Sequence, residues 1–311
     1  MPRPNIAMTE FSAAIEALQN STMPGLIELG EFEFLRDLAH RHTGIVLADH
    51  KRSMVHRRLS RRLSALGLDS FRDYCALLKS SEGKHELQLF INALTTNKTE
   101  FFRESHHFDH LIATAIPALW ETKKSDPTRR FRIWSAGCSL GHEPYSITIS
   151  LHHSFPELMR WNTKILATDI DTDVLEKARF GCYKEDDLDT VPVTCRQAYF
   201  LPDRETAGFY RVSPDIAAHV SFKQLNLLEH WPMSGPFDII FCRNVIIYFD
   251  KPTQMRLIDR FADILRADGL LYLGHSESLY RVSERFRIVG QSIAPMGQNI
   301  IARGNATYAT D

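Results

Sequence analysis

The stretch WSAGCSLGHEPY, residues 134–145, decides how the rest of the chain is interpreted. Its letters GCSLG fit the G-x-S-x-G pattern of a hydrolase nucleophile elbow, and they also fit a glycine-bearing turn between a strand and a helix that cradles a cofactor. An elbow serine follows several strands of its sheet, whereas only helical patterns precede this stretch. We therefore expect Ser139 to be a turn residue and not a nucleophile.

Strands and helices alternate around and beyond this stretch. Buried-strand patterns cover residues 131–136, 163–170, 220–228, 237–244 and 269–276, with helical patterns between them. This alternation predicts an α/β fold with a Rossmann-like, doubly wound sheet. The C-terminal stretch RFRIVGQSIAPMGQNIIARG predicts two more strands around a Pro/Gly turn, which give the sheet an antiparallel end.

Three segments of this region are harder to assign. YSITISL (145–151) alternates like a strand, but its place behind a glycine turn and Pro144 favours a helix. In residues 251–269, Lys251 and Pro252 are expected to start a helix that Gly269 ends. The long polar stretch at about 182–221 predicts an inserted subdomain with one or two short strands.

A helical region precedes the sheet. Its periodicity predicts a small all-helical domain over residues 29–95, with Gly44, Gly67 and Gly83 as helix ends. The second helix has an apolar stripe and six cations with no acidic residue among them. Such a face is either solvated or docks an acidic partner. The candidate docking residues are Arg57, Arg58, Arg61 and Arg62.

Composition limits the class of protein. The formal net charge of −1 argues against nucleic-acid binding over the whole surface. The five cysteines are scattered without a C-x-x-C pair, so we expect reduced thiols rather than a disulfide framework or a zinc ribbon. No window resembles a membrane span or a signal peptide, and we expect a cytoplasmic protein without membrane insertion.

Four residues that follow separate strands point to a ligand site. Gly137, Asp169, Asn226 and Asn244 are expected together at the carboxyl edge of the sheet, where open α/β sheets bind ligands. Gly137 and Gly141 allow the backbone to approach a ligand closely, and Asp169 can accept two ribose hydroxyls. Because the turn lacks G-x-G-x-x-G, the site does not demand a pyrophosphate, and a nucleoside without phosphates, such as S-adenosylmethionine, becomes a candidate ligand.

Several motifs together resemble the CheR family of chemoreceptor glutamate methyltransferases. They are NKTEFFRESHHF (97–108), WSAGCSLGHEPYSI (134–147), ATDIDTDVLEKARFGCY (167–183), NLLE (226–229), FDIIFCRNVIIYFD (237–250) and GLLYLGHSES (269–278). The resemblance implies an S-adenosylmethionine-dependent methyltransferase with a small β insertion behind a helical domain. It divides the chain into an extension (1–28), a helical docking domain (29–95), a linker helix region (96–130) and a methyltransferase domain (131–311).

The resemblance also implies a cofactor site and a reaction. The implied cofactor-binding residues, with Gly137 added from the turn, are Asn97, Thr99, Arg103, Glu143, Asp169, Asn226, Leu227, Arg243 and Asn244. Receptor glutamates on cytoplasmic signalling helices become methyl esters, and the cofactor leaves as S-adenosylhomocysteine. Such a carboxylate is already ionised at neutral pH and needs no catalytic base. Arg103 and Tyr248 are the candidate catalytic residues, Arg103 to hold a carboxylate and Tyr248 to donate a hydroxyl, although Tyr248 could equally be a buried ring.

Histidines near these motifs call for separate predictions. His106, His107 and His110 have no acidic or thiol partner at ligand spacing beyond Glu104, and we expect no metal. His142 stands where the family commonly has an acidic residue, which suggests that cofactor affinity weakens as His142 protonates below about pH 6.5.

Two other functions remain open. The basic helical domain could grip RNA for an RNA methyltransferase, although NVIIY (244–248) lacks the prolines of the N-P-P-Y motif of amino-methylating enzymes. The chain could also sense S-adenosylmethionine without catalysis.

Overall fold

The computed structural model describes residues 25–277, 283–289 and 300–303. The chain divides into a helical unit, Met1–His42 with Val46–Thr95, and an α/β unit, Thr43–Ile45 with Thr96–Asp311. Residues 1–24 of the predicted extension and the Pro/Gly turn predicted near Pro295 lie outside the described residues. No helix of the described part is long and apolar enough to cross a membrane.

The helical unit is built from short amphipathic helices. They are α1 Leu29–Thr43, α2 Arg52–Leu66, α3 Phe71–Lys79 and α4 Lys84–Leu94. Gly67 ends α2 in the left-handed conformation, as predicted. Gly83 does not end a helix: it lies in a 3₁₀ turn, Ser81–Gly83, directly before α4. A Cβ there would lie 2.2 Å from the carbonyl oxygen of Leu77, so close packing explains this glycine.

The α/β unit alternates strands and helices. Its helices are α5 His106–His110, α6 Ile116–Lys123, α7 His142–Ser154, α8 Pro156–Met159, α9 Thr172–Phe180, α10 Val193–Tyr199, α11 Pro214–Ala217 and α12 Lys251–Ile264, and a π-helical segment, Leu111–Ala115, joins α5 to α6. Its strands are β1 Arg130–Ala136, β2 Asn162–Asp169, β3 Cys182–Lys184, β4 Phe200–Pro202, β5 Phe209–Val212, β6 Val220–Gln224, β7 Phe237–Cys242, β8 Leu265–Leu273, β9 Phe286–Ile288 and β10 Ile300–Arg303.

The main sheet confirms the predicted fold class. Its seven strands lie in the order β6-β2-β1-β7-β8-β10-β9. The first five are parallel, and β10 pairs antiparallel with β8 and β9. Strands β3, β5 and β4 form a separate antiparallel sheet, which confirms the predicted β insertion.

The ambiguous segment YSITISL lies in helix α7, as predicted. Every residue from Pro144 to Leu151 is buried, so the helix has no polar face that would reveal its period. Its alternating hydroxyls are satisfied within the helix, since Ser146 and Thr148 donate to the carbonyls of His142 and Pro144 at 2.8 and 2.7 Å. The alternation in the sequence therefore reflects hydroxyls that bond one turn back.

The predicted end of α12 at Gly269 is wrong. The helix ends at Ile264, and Gly269 lies inside β8. Leu265 pairs with Phe237, and the register of β7 and β8 then shifts before Ile239. A Cβ on Gly269 would lie 2.7 Å from Cγ of Leu265, so this glycine accommodates an irregular strand instead of ending a helix.

Candidate active site

The predicted site residues converge on one edge of the main sheet. Gly137 follows β1, Asp169 ends β2, Asn226 lies two residues beyond β6, and Asn244 lies two residues beyond β7. All four strands are parallel, so these residues share the carboxyl edge. The chain proceeds from β1 outward to β6 and then returns to β7 beside β1, which makes the β1–β7 gap the switch point where such sheets bind ligands.

The turn after β1 is held by the end of β2. Ser139 donates its backbone N–H to Oδ2 of Asp169 at 2.8 Å, and its hydroxyl donates to the carbonyl of Asn97 at 3.0 Å. Ser139 has a positive φ of 49°. Because its hydroxyl bonds a backbone carbonyl and β1 is the first strand of the unit, the nucleophile-elbow interpretation is excluded.

The glycines of the turn serve packing. A Cβ on Gly137 would lie 2.3 Å from Cγ2 of Val245, and a Cβ on Gly141 would lie 2.9 Å from Cβ of Ala178. Both glycines also have φ above 80°. Our expectation that missing side chains leave room for a ligand therefore needs correction, since protein atoms occupy those directions.

Asp169 is placed to accept from a ligand. Besides Ser139, its carboxylate accepts the backbone N–H of Asp171 at 3.0 Å. Burial raises the pKa of Asp169 to about 6, although these N–H donors oppose the shift. Next to it, Asn97 donates to Asp171 at 2.7 Å, and Asp171 caps α9. The segment around Asn97, at the start of the α/β unit, is thus tied to the end of β2.

A buried charge cluster lies on the other side of the turn. Nη1 of Arg243 is 3.2 Å from Oε2 of Glu143, and its Nη2 is 3.4 Å from Oε2 of Glu104. Glu143 also accepts from the hydroxyl of Ser135 at 2.7 Å. His275 donates its backbone N–H to Glu104 at 3.2 Å. Two carboxyl groups share one guanidinium, so the cluster holds one more acidic group than cation, which suits a cationic ligand.

The two carboxyl groups respond differently to this environment. Burial raises the pKa of Glu143 despite the opposing charge of Arg243. Burial alone would also raise the pKa of Glu104, but Arg243 and hydrogen bonds from His275 and Asn244 lower it overall. Glu104 is a residue that our sequence predictions missed, although it lies inside the NKTEFFRESHHF motif.

Arg103 and Thr99 lie in the linker before α5. Arg103 is half-buried, and its guanidinium donates to the carbonyl of Lys98 at 3.1 Å. No described carboxylate pairs with it, which leaves its other N–H groups for a ligand. Thr99 is half-buried and forms no described side-chain hydrogen bond.

The segment after β6 presents Asn226 and Leu227. Oδ1 of Asn226 accepts the N–H of Leu228 at 3.0 Å, and Nδ2 donates to Glu229 at 3.1 Å. Leu227 is buried, and its carbonyl accepts from the indole N–H of Trp231 at 3.1 Å.

Glu277 organises the segment after β7. Its buried carboxylate accepts four backbone N–H groups at 2.6–2.9 Å, those of Gly274, Asn244, Val245 and Ile246. Burial raises the pKa of Glu277, and the N–H donors oppose that shift. Asn244 itself has φ 58°, which this anchor maintains. Sequence reasoning missed this residue because its partners lie up to 33 residues away in the chain.

Tyr248 follows Asn244 in the 3₁₀ turn Ile246–Tyr248. It is half-buried, and its hydroxyl has no hydrogen-bond partner among the described residues. The hydroxyl of Tyr248 is therefore available to donate a hydrogen bond to a ligand.

His142 does not face the charge cluster. Its ring packs 4.5 Å from that of Phe101 and 4.8 Å from that of Tyr183, measured between centroids. Burial lowers the pKa of His142 to about 4. The expected titration of His142 near pH 6.5 is therefore wrong, because the folded protein keeps this ring neutral there.

Of the neighbouring histidines, His107 is buried and His106 is half-buried. Glu104, His106 and His107 place one potential ligand atom each within 4.8 Å of one another. Burial, and to a smaller extent the charge of Arg243, lower the pKa of His107 to about 2. A cation at Glu104 would have to compete with Arg243, which already contacts that carboxylate.

Two of the four predicted docking arginines have structural partners. Arg58 donates to the carbonyls of Leu94 and Thr95, both at 2.7 Å. Arg62 makes two hydrogen bonds to Glu86, at 3.0 and 2.7 Å. The guanidinium groups of Arg57 and Arg61 are exposed and form no ion pair among the described residues. The docking prediction consequently narrows to Arg57 and Arg61.

Comparisons with known proteins agree with this geometry. The family model described as CheR methyltransferase, all-alpha domain, matches residues 30–95, and that described as CheR methyltransferase, SAM binding domain, matches residues 97–294. The chemotaxis protein methyltransferase of Klebsiella aerogenes is 48% identical over 266 residues, 84% of this chain and 88% of that protein. Those of Salmonella typhimurium and Escherichia coli K12 are 45% and 44% identical over 273 residues, 86% of this chain and 90% and 91% of those proteins.

Proposed function

The chain belongs to the CheR methyltransferase family, and from this premise we propose that it methylates glutamate side chains of chemoreceptors. S-adenosylmethionine is the methyl donor of its cofactor-binding domain. The observation that carries the proposal beyond family membership is the buried Glu143–Arg243–Glu104 cluster at the same sheet edge as Asp169, because its two carboxyl groups share one cation and can complement a sulfonium ligand.

The residues present fit that cofactor. Asp169 would accept the ribose hydroxyls, and Glu143 would face the ammonium group. Arg103 would hold the cofactor's carboxylate, since no described carboxylate pairs with it. The remaining proposed contacts are Asn97, Thr99, Gly137, Asn226, Leu227, Arg243 and Asn244.

The protein's part in the reaction is to position and desolvate a substrate carboxylate. S-adenosylmethionine supplies an electrophilic methyl group, and a glutamate side chain with a reference pKa of about 4.3 attacks without a general base. Tyr248 would donate its hydroxyl to the substrate oxygen that does not attack, which orients the carboxylate. S-adenosylhomocysteine and a methyl ester are the products.

Arg57 and Arg61 support the proposed partner. They present two exposed cations on α2, and the acidic flank of a receptor signalling helix would complement them. Neither the family descriptions nor the relatives' names mention RNA, so the RNA hypothesis has no support.

A labelling experiment tests the proposed function. The full chain is incubated with methyl-labelled S-adenosylmethionine and a cytoplasmic receptor fragment, and we expect label on the fragment that alkali releases as methanol. The same fragment with its methylation-site glutamates changed to alanine is the control. Alkali-stable label, label on added RNA instead, or cofactor binding without transfer would each contradict the proposal.

A further inference from the structure

A cavity lies at the opposite edge of the main sheet from the candidate active site. It has a volume of about 750 Å³ and is lined by residues from the amino-terminal parts of β1, β2, β6 and β7 and from the segment before β7. Small-molecule sites commonly measure roughly 300–1,000 Å³. The cavity therefore has room for a ligand of its own.

The cavity exists because one crossover has no helix. Parallel strands are usually joined by a helix that covers the sheet. Residues 225–236, which join β6 to β7, contain no helix. Pro232 and Met233 of this segment line the cavity together with Leu166 of β2. Met233 and Leu166 are only half-buried, so the cavity has an apolar wall.

The cavity lining is also strongly basic. Arg130, Arg132 and Lys164 belong to it, and the strand register places Arg132 directly beside Lys164. Within the described residues none of the three forms an ion pair. Arg132 donates to Oδ1 of Asn162 at 3.0 Å, and Lys164 donates to the carbonyl of Ala218 at 3.3 Å. These contacts are neutral and leave the positive charge uncompensated.

Among the described residues, the carboxylate that bonds to this basic group of side chains is already paired with other cations. Asp238 accepts the backbone N–H of Arg132 at 2.7 Å, but its charge is met by Lys123 at 2.7 Å and Arg266 at 3.4 Å. Like charges on neighbouring strands destabilise a sheet. A bound anion would remove that repulsion, whereas a merely solvated surface would normally mix both signs.

We propose that this cavity, here called the basic cavity, binds a nucleotide, with its phosphates on Arg132 and Lys164 and its base against Leu166 and Met233. The cations supply the charge-assisted hydrogen bonds that phosphate oxygens accept. The half-buried apolar side chains supply a surface that a flat heterocycle covers and that inorganic phosphate cannot use. The site is separate from the cofactor cleft and does not depend on methyl transfer.

Calorimetric titration of the full chain with guanosine diphosphate tests the proposal. The cofactor cleft is first saturated with S-adenosylhomocysteine, so that binding there does not contribute heat. We expect binding to persist, and Arg132→Gln and Lys164→Gln to weaken it by about tenfold or more each. Lys177→Gln, an exposed change on α9 that does not line the cavity, should leave it unaltered. Guanosine and pyrophosphate should each bind at least about tenfold more weakly than the diphosphate.

Several results would overturn the assignment. If S-adenosylhomocysteine abolishes the binding of guanosine diphosphate, the nucleotide binds at the cofactor site. If pyrophosphate binds as tightly as guanosine diphosphate, Leu166 and Met233 do not contribute to binding. Equal affinity of Lys164→Gln and wild type removes the role of the cations. Because Lys164→Gln relieves charge repulsion, its ligand-free melting temperature should not fall, and a loss of binding in this variant is then not a loss of folding.

Discussion

The proposed cofactor contact requires the carboxylate of Asp169 to be ionised, but the buried surroundings of this side chain favour its neutral form. Its pKa is raised to about 6. The group is ionised above that pH and protonated below it, so affinity for S-adenosylhomocysteine should fall as the pH drops through 6, by up to about tenfold per pH unit. Calorimetric titrations between pH 7.5 and 5 measure this dependence.

Two variants separate Asp169 from His142 as the origin of that dependence. Asp169→Asn should weaken binding at pH 7.5 by roughly 1.5–3 kcal/mol, because charge-assisted hydrogen bonds are lost, and should remove the inflection near pH 6. His142→Gln should keep the inflection, since burial lowers the pKa of His142 to about 4. An inflection that survives in Asp169→Asn would refute this assignment.

Glu277 is predicted to control cofactor affinity without touching the cofactor. Its carboxylate accepts four backbone N–H groups, including that of Asn244. Glu277→Gln has one oxygen fewer to accept and turns an amide toward donors, so we expect affinity for S-adenosylhomocysteine to fall by roughly tenfold. Glu284→Gln, an exposed change nearby, is the matched control. Unchanged affinity in Glu277→Gln would show that Asn244 holds its conformation without this anchor.

Residues that end strands were predictable, and residues that support them were not. Asp169 and Asn244 follow apolar runs, so the rule for parallel sheets locates them at one edge. Glu104 contacts Arg243, which lies far along the chain, and no local pattern encodes that pairing. His142 illustrates the same limit, since its motif lies at the site while its ring packs against Phe101.

At the scale of elements, the arginines of α2 have two different roles. Arg58 and Arg62 bond within the helical unit, whereas Arg57 and Arg61 are proposed to contact the receptor. Arg57→Glu with Arg61→Glu should reduce methylation of a receptor fragment at least several-fold, because both side chains are exposed and unpaired within the described structure. Affinity for S-adenosylhomocysteine should not change. Label transfer at several salt concentrations and calorimetry measure the two properties. Loss of both, or of neither, would contradict this division.

Arg62 is expected to act on stability instead. It pairs with Glu86, which is buried and also accepts from Tyr74 at 2.8 Å. Arg62→Ala leaves that carboxylate without its cation, so we expect a loss of about 3 kcal/mol in the free energy of unfolding of the helical unit. Denaturant titration followed by far-ultraviolet circular dichroism measures it, with exposed Arg61→Ala as the control. Equal stability of the two variants would contradict the structural role.

Element types were more predictable than element ends. Alternation of apolar runs identified the strands, but α7 had to be inferred from the glycine turn because it is buried on all sides. Gly269 was misassigned since a glycine after a helical pattern usually ends it, whereas here it permits the irregular pairing of β7 with β8. The position of Gly269 is determined by packing between strands that are distant in the sequence, and hydrophobic periodicity carries no information about such packing.

At the scale of the whole molecule, the sequence specified the two-part architecture through separate periodicities for the helical and α/β regions. What it could not specify is the contrast between the two edges of the main sheet. The carboxyl edge gathers two carboxyl groups around Arg243, and the amino edge gathers Arg130, Arg132 and Lys164. With a net charge of −1, composition conceals that separation, which arises only when the strands pair.

Buried histidines should couple the stability of the α/β unit to pH. The pKa of His142 is lowered to about 4 in the folded unit. In the unfolded chain this histidine has its ordinary pKa of about 6.5, so it binds a proton at a higher pH than it does in the folded unit. His142 therefore contributes stability above pH 6.5 that is lost as the pH falls toward 4. His142→Phe, which preserves ring packing against Phe101 and Tyr183, should be nearly neutral at pH 7.5 and about 2 kcal/mol more stable than wild type near pH 4.5.

Tryptophan fluorescence during urea titration measures this difference, because all four tryptophans lie in the α/β unit and report its unfolding alone. His153→Gln, at an exposed histidine of the same helix, is the control and should follow wild type at both pH values. A constant difference between His142→Phe and wild type would mean that the ring takes up its proton while folded. His142 would then titrate in the folded unit, and it would contribute no pH-dependent stability.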